Sequence, residues 1–402
     1  MALPKTRSGC HDRSFQQDIC VSIVIRSRGG LSSCKCLSFQ IFSIYLRLHG
    51  QCAFKTKMIK KIIPAIFAFG ATSVGYAEPS NAPSTVTIFG SVDLNLTHSK
   101  VGNRSVIGMD QGGHLIPSRV GFRGTEDLGN GLSLNFWLEA AMSPDTGDGA
   151  PDSQLFGRRS TLSLVSKTYG ELRLGRDYTP TFWNLSNFSP FGTVGTGGSS
   201  NIVEGWPLGL GTAKTLSRAS NSAGYFTPRN LGGFYTQLMV ATDEGIDGTR
   251  YRGGRIGYES GPLHVAAAYG ETPADGDDYE VAMMGGSYNF GVIKVYVNYL
   301  QHKLGSDKQN NALMGAAIPL GRGTIKTSFA RSHRFKPGAI ADDARQFAVG
   351  YTYTLSKRTT LYMTYSRVKN EGNAAYVVAD SSAAGEPGAT ATGFQVGIRH
   401  DF

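Results

Sequence analysis

From residue 86 to the C-terminus, hydrophobic and polar positions alternate along the chain. In Val86–Leu96 apolar or small side chains occupy every even position, with Thr87, Ser91, Asp93 and Asn95 between them. A strand projects successive side chains to opposite faces, so this segment carries one apolar and one polar face. Leu132–Glu139 and Phe347–Leu355 repeat the pattern, and Phe394–Phe402 sets Arg399 and Asp401 opposite an aromatic and aliphatic face. No comparably long stretch has a helical period. Sixteen such segments are predicted, at 86–97, 118–125, 131–140, 158–167, 170–176, 217–226, 233–241, 250–260, 263–270, 279–290, 292–303, 311–320, 323–333, 343–355, 359–369 and 390–402.

The connections alternate in length. Short ones include Glu126–Asn130, Gly261-Pro262 and Ser356–Arg358; long ones fall at 141–157, 177–216, 241–250, 270–278 and 370–389. A soluble sandwich also alternates, but with shorter strands and no rule for its turns. Alternating short and long turns around strands of about ten residues mark a barrel of the bacterial outer membrane. Strands of that length cross the hydrocarbon at a tilt, and closure is forced because an open sheet edge in lipid would leave backbone groups unpaired. The predicted fold is all-β: one 16-stranded antiparallel transmembrane β-barrel over residues 78–402.

Composition changes the picture mainly at the N-terminus. The chain has 402 residues, 40 Lys+Arg against 30 Asp+Glu, and a net charge of +10. Residues 1–77 hold 11 basic and 2 acidic residues, which leaves 29 and 28 for the remainder. The basic balance is therefore no footprint for nucleic acid. All five cysteines (Cys10, Cys20, Cys34, Cys36, Cys52) precede Met58, so the body has no disulfide framework, cysteine metal site or cysteine nucleophile. From Met58 the order is Lys60-Lys61, an apolar run Ile62–Ala71, then small residues up to Ala77. That is a secretory signal peptide over 58–77, too short to span as a helix. Residues 1–57 have no stable period and read as a misassigned upstream extension, with a long processed leader as the alternative.

Sixteen strands enclose a water-filled lumen, whereas eight are filled by side chains. The polar face is then the inner one: Asp93, Asn95, Arg119, Arg123, Ser133, Asn135, Glu139, Gln346, Thr352, Thr354 and Gln395. The third loop, 177–216, is too long for a hairpin connection. Its aromatics, glycines and serines suit a segment that folds into the lumen and narrows it.

The stretch Ser118–Leu132 (SRVGFRGTEDLGNGL) resembles the second-strand and turn signature of general porins, and is especially similar to those of β-proteobacteria, the neisserial and Comamonas-type group. Gly170–Tyr178 and Phe188–Gly192 resemble that group's fifth strand and inserted third loop, and Phe402 resembles the terminal assembly signal read by the barrel insertion machinery. The likeness covers 78–402 and none of 1–57. It implies a homotrimer of barrels in the outer membrane, each passing ions and small hydrophilic solutes by diffusion, in contact with outer-membrane lipid and lipopolysaccharide.

It also implies a constriction where wall arginines face loop carboxylates. Arg119 matches the first arginine and Arg158 the second. Arg218 matches the third, although Ser220 stands where the family more often has an acidic residue. Strand parity disagrees at the second position: lipid-facing Leu162 and Leu164 would turn Arg159 inward, and a local bulge is needed to present Arg158. The loop carboxylates would be Asp177 and Glu204. Guanidinium groups stay charged at any working pH, and such charged walls set ion preference. Three arginines against two carboxylates predict a mild anion preference.

No zinc-protease, P-loop, nucleophile-elbow or dinucleotide motif is present, and the histidines after residue 97 lack ligand spacing. No cofactor or metal is expected. The alternative readings are an outer-membrane barrel enzyme and a surface adhesin or receptor working through its external loops.

Overall fold

The computed structural model describes residues 85–110, 112–149, 154–203, 211–338 and 342–402. The expected leader, the signal peptide and Glu204 lie outside the described residues. The strands are β1 (Thr85–Val101), β2 (Arg104–Asp110), β3 (Arg119–Gly129), β4 (Leu132–Ser143), β5 (Asp148–Gly149), β6 (Arg159–Ser166), β7 (Gly170–Tyr178), β8 (Arg218–Phe226) and β9 (Phe234–Ala241). They continue as β10 (Tyr251–Ser260), β11 (Leu263–Ala274), β12 (Asp277–Asn289), β13 (Lys294–Leu304), β14 (Asp307–Leu320), β15 (Gly323–Phe335), β16 (Asp342–Thr354), β17 (Thr359–Glu371) and β18 (Thr390–Asp401). One short helix, α1 (Pro180–Asn187), lies in the third loop.

Each strand pairs antiparallel with its sequence neighbour in the wall, and β18 returns to β1 in register from Ser91↔Asp401 to Val101↔Ala391. Setting aside β2 and β5, which belong to loops, sixteen strands of the described residues close the barrel. β1 rises above the end of β3, whose ladder with it stops at Ser91↔Arg119. β2 pairs with the exposed edge above, from Asn95↔Asp110 to Val101↔Arg104, and so covers backbone groups that would otherwise lack partners.

Burial is inverted relative to a soluble sheet. On β17, Leu361, Met363 and Tyr365 are exposed, whereas Tyr362, Thr364 and Ser366 between them are buried. The same parity puts Asp93, Asn95, Glu139, Gln346 and Gln395 inside. The chain therefore presents apolar side chains to lipid and polar ones to the interior.

The expected long connection 270–278 is a two-residue turn instead. β11 runs on to Ala274 and β12 begins at Asp277, with Asp275 (φ 54°) and Gly276 (φ 82°) between them. Two successive positive φ values make a type I′ hairpin, for which Asp-Gly is a favoured pair.

The third loop lies against one half of the inner wall. Thr179 caps α1 by accepting a hydrogen bond from the Phe182 amide (3.3 Å), and Pro180 fits the first turn, where no amide donor is needed. The helix packs on the wall at β10–β12, and Asn184 Nδ2 donates to Ala266 O at 3.2 Å. Beyond it, Phe188 is buried against Gly285 and the His264 ring, Pro190 meets Gly315, and Thr196 meets Gly393. A Cβ at Gly315 would stand 2.6 Å from Pro190 Cγ, so the wall here must be bare for the loop backbone to approach. Gln346 Nε2 donates to the carbonyls of Thr196 (3.1 Å) and Gly198 (3.3 Å). Further on, His302 Nε2 and Asn311 Nδ2 reach Val203 O at 3.0 and 3.2 Å. Leu185, Ile202 and Val203 are almost fully buried with Met283, Leu300 and Leu313 of the wall. Each such side chain contributes about 1.5–3 kcal/mol, which makes the loop a fixed partition. The opposite half of the lumen is left open.

Candidate functional site: a basic cavity beside the third loop

That open half forms a cavity of about 630 Å³. The β3–β8 wall supplies Arg119, Trp137, Glu139, Arg158, Arg159, Tyr178 and Arg218, and the third loop supplies Phe182, Trp183 and the Thr193–Gly195 backbone. The first loop adds Ile116 and Pro117, and Asp110 and Asp380 complete the lining.

Period-two strands place the arginines, and one irregularity doubles them. Arg159 opens β6 and pairs in register with Glu139, while Arg158, one residue earlier, donates its amide to Glu139 O at 3.2 Å. Two consecutive residues thus stand against one, as in a β-bulge, and both guanidinium groups line the cavity.

Glu139 organises the wall. Its Oε1 takes Arg158 Nε at 2.7 Å and lies 3.6 Å from Arg119 Nη1, while Trp137 Nε1 donates to Oε2 at 2.9 Å. Arg158 Nη2 donates to Tyr178 Oη at 2.7 Å, and Arg218 Nη2 to the same oxygen at 3.0 Å. Arg218 also lies over the Tyr178 ring, with Cζ 4.4 Å from its centre, and Arg159 lies over Trp137 at 4.6 Å. Stacking fixes these planar groups without consuming their charge.

Asp177 is not across the lumen from the arginines. It belongs to β7, is buried, and bonds Arg173 Nη1 at 2.5 Å with Arg159 Nε at 3.4 Å. It neutralises part of the basic wall from behind. The described third-loop residues, 179–203 and 211–217, contain no Asp or Glu. The carboxylates that share the cavity with the arginines come from elsewhere: Asp110 at the end of β2 and Asp380 in the last loop, 372–389. Burial, followed by the charge of Asp110, holds the Asp380 carboxyl above the ordinary carboxylate range. Ser381 Oγ donates to Asp110 Oδ2 at 2.9 Å, which ties the two loops together.

Asp93 holds the first loop inside the barrel. Its Oδ2 accepts the amides of Gly113 (3.3 Å) and His114 (3.0 Å), and its Oδ1 accepts Tyr362 Oη at 2.5 Å. Burial, with Lys326 and Arg399 nearby, lowers His114 to about 3, so its imidazole adds no charge at neutral pH. Phe402 lies at the other end of the barrel: its amide donates to Gly90 O (3.1 Å) and its carbonyl accepts the Gly90 amide (3.0 Å).

A permanent row of cations beside a water-filled gap, on a barrel whose outside is apolar, is the construction of a membrane channel. Residues 65–373 match a family described as Gram-negative porin. The chain belongs to that family. Outer membrane porin protein 32 of Delftia acidovorans is 37% identical over 368 residues, covering 86% of this chain and all of that protein. An outer membrane porin protein of Bordetella pertussis is 28% identical over 404 residues, 83% of this chain and 98% of its own. Among solved structures, one described as an anion-selective porin from Comamonas acidovorans superposes with a TM-score of 0.70 at 36% identity, covering 80% of this chain and 100% of that one. The porin is thus an outer-membrane channel protein and not an enzyme, and its 16-stranded barrel is shared with the solved Comamonas porin.

Proposed function

We propose that this porin is a general diffusion channel with a preference for anions, and that Arg119, Arg158 and Arg218, joined by Arg159, are its selectivity wall. The observation that carries this is the imbalance at the cavity. Four guanidinium groups line one side against three carboxylates in the whole lining, Glu139, Asp110 and Asp380; Glu139 is taken up by Arg119 and Arg158, and the described third loop adds none. Fixed cations in a narrow aqueous path concentrate anions and exclude cations. The cavity volume is large enough for hydrated ions and small solutes.

Reversal potentials of the purified porin in planar bilayers under a salt gradient test it. An anion-selective sign is expected; a cation-selective one overturns the assignment. We further propose a homotrimer, whose insertion should give current steps in threes, and an export path that starts at Met58, removes residues 58–77 and ends with insertion guided by Phe402.

A further inference from the structure

The lumen face of α1 carries side chains that an aqueous path does not call for. Pro180, Thr181, Asn184 and Leu185 are buried. A helical period sets Phe182, Trp183 and Ser186 on another face, and all three line the open cavity. A face turned to an aqueous path favours polar side chains, yet two large aromatic ones stand here half-buried. Apolar surface left open beside a few polar groups is the make-up of a small-molecule site.

Tyr178 joins these rings to the basic wall. Its ring stacks on Phe182, with centres 5.0 Å apart and planes at 15°, and meets Trp183 at 5.2 Å. Its hydroxyl oxygen accepts hydrogen bonds from Arg158 and Arg218, and Arg218 also lies over the ring. Two aryl groups and two guanidinium groups are therefore neighbours across a single ring. Trp137 gives the wall a further aromatic face beside Arg159, and Ile116 and Pro117 extend the apolar lining. Arg218 bonds only neutral oxygens among the described residues, which leaves its charge for a solute.

We propose that this cavity binds monocyclic aromatic carboxylates, of which benzoate is the simplest, and that Phe182 and Trp183 set the preference. The proposal rests on the anion-preferring channel reading and narrows it to a class of solute. A chloride or acetate ion uses only the cationic part of the lining. An anion with a flat ring uses both parts: its carboxylate pairs with Arg218 and Arg158, and its ring stacks on Phe182 and Trp183. The planar guanidinium fork matches a carboxylate, and aromatic rings attract one another beyond the area they bury, which favours a flat ring over an aliphatic body of equal size. The volume of about 630 Å³ lies within the range of about 300–1,000 Å³ usual for small-molecule sites.

The test is block of chloride current through the purified porin in planar bilayers, with benzoate, cyclohexanecarboxylate, acetate and neutral benzamide added in separate runs. The half-blocking concentration of benzoate should be at least about tenfold below those of acetate and benzamide, and at least about threefold below that of cyclohexanecarboxylate. In the Phe182→Leu/Trp183→Leu variant the benzoate value should rise to that of cyclohexanecarboxylate, while Trp183→Phe, which keeps a flat face, should retain most of the preference. Each protein is read as a ratio between two anions, so a change in its chloride conductance cancels. Equal block by benzoate and cyclohexanecarboxylate in the parent overturns the proposal in favour of apolar adsorption. Equal block by benzoate and acetate overturns it in favour of plain charge attraction, and equal block by benzamide shows that the arginines take no part. A double variant with the full benzoate preference overturns the assignment to α1. The reversal potential in potassium chloride alone is recorded first on the same membranes. A cation-selective sign there overturns the channel reading and this proposal with it; an anion-selective sign without benzoate preference overturns this proposal alone.

Discussion

Arg218 offers the most direct test of how charge on the wall becomes selectivity. Arg119 and Arg158 share Glu139, and Arg159 and Arg173 share Asp177. Arg218 bonds only neutral oxygens, Arg158 O and Tyr178 Oη, each at 3.0 Å. Among the described residues it has no carboxylate partner, so its charge acts on the lumen undiluted. An ion passing about 6 Å away in water feels about 0.7 kcal/mol from it. Screening at about 0.1 M salt, where the Debye length is about 10 Å, reduces this to about 0.4 kcal/mol. Anions are then enriched about twofold and cations depleted about twofold, so Arg218→Gln should lower the anion-to-cation permeability ratio about three- to fourfold. At about 1 M salt the same factor should shrink to below about 1.5. Reversal potentials of both proteins at the two salt levels measure it, with Arg218→Lys as a variant that keeps the charge. An unchanged ratio at low salt, or an equal change at both, would refute the electrostatic account; loss of selectivity in the lysine variant would point to guanidinium geometry instead.

Other outcomes follow from the same geometry. The Asp380 carboxyl is raised by burial and by Asp110, so as pH falls it takes up a proton before ordinary carboxylates do. Anion preference should therefore climb on acidification from neutrality, a climb that Asp380→Asn should abolish in bilayer recordings. Gln346→Leu removes the donor to Thr196 O and Gly198 O, at a cost of about 1–3 kcal/mol to loop docking; noisier open-channel current and faster amide exchange over 196–203 are the expected signs. Deleting Phe402 removes its two backbone bonds to Gly90 and should lower the amount of assembled barrel in the outer membrane, measured by heat-modifiable gel mobility.

The barrel was legible because its information is local. Each strand carries its own alternation, and sixteen segments could be counted without knowing which ones pair. What failed locally was turn chemistry: Asp275-Gly276 is a hairpin pair, but the acidic run around it suggested a longer loop. The cavity lining was legible only on its strand side. Strand parity exposed Arg119 and Glu139, and the conflict at Arg158 and Arg159 was itself the mark of a bulge. The acidic partners were out of reach, because Asp110 and Asp380 are separated by most of the chain and meet only when the first and last loops fold inward. Asp177 was misplaced across the lumen because β7 extends two residues past its expected end at 176.

The closure of the barrel has a consequence for how the molecule must be made. β1 and β18 are the first and last strands described, and their seam includes Gln395 Nε2 donating to Asn95 Oδ1 across 300 residues of sequence. A chain delivered from its N-terminus therefore has no closed form until its final residues arrive. Every shorter product is a sheet with two raw edges, and neither edge can rest in hydrocarbon. Contacts of such long range also form slowly. The polypeptide must then wait, unfolded and shielded from self-association, for a time set by its own topology.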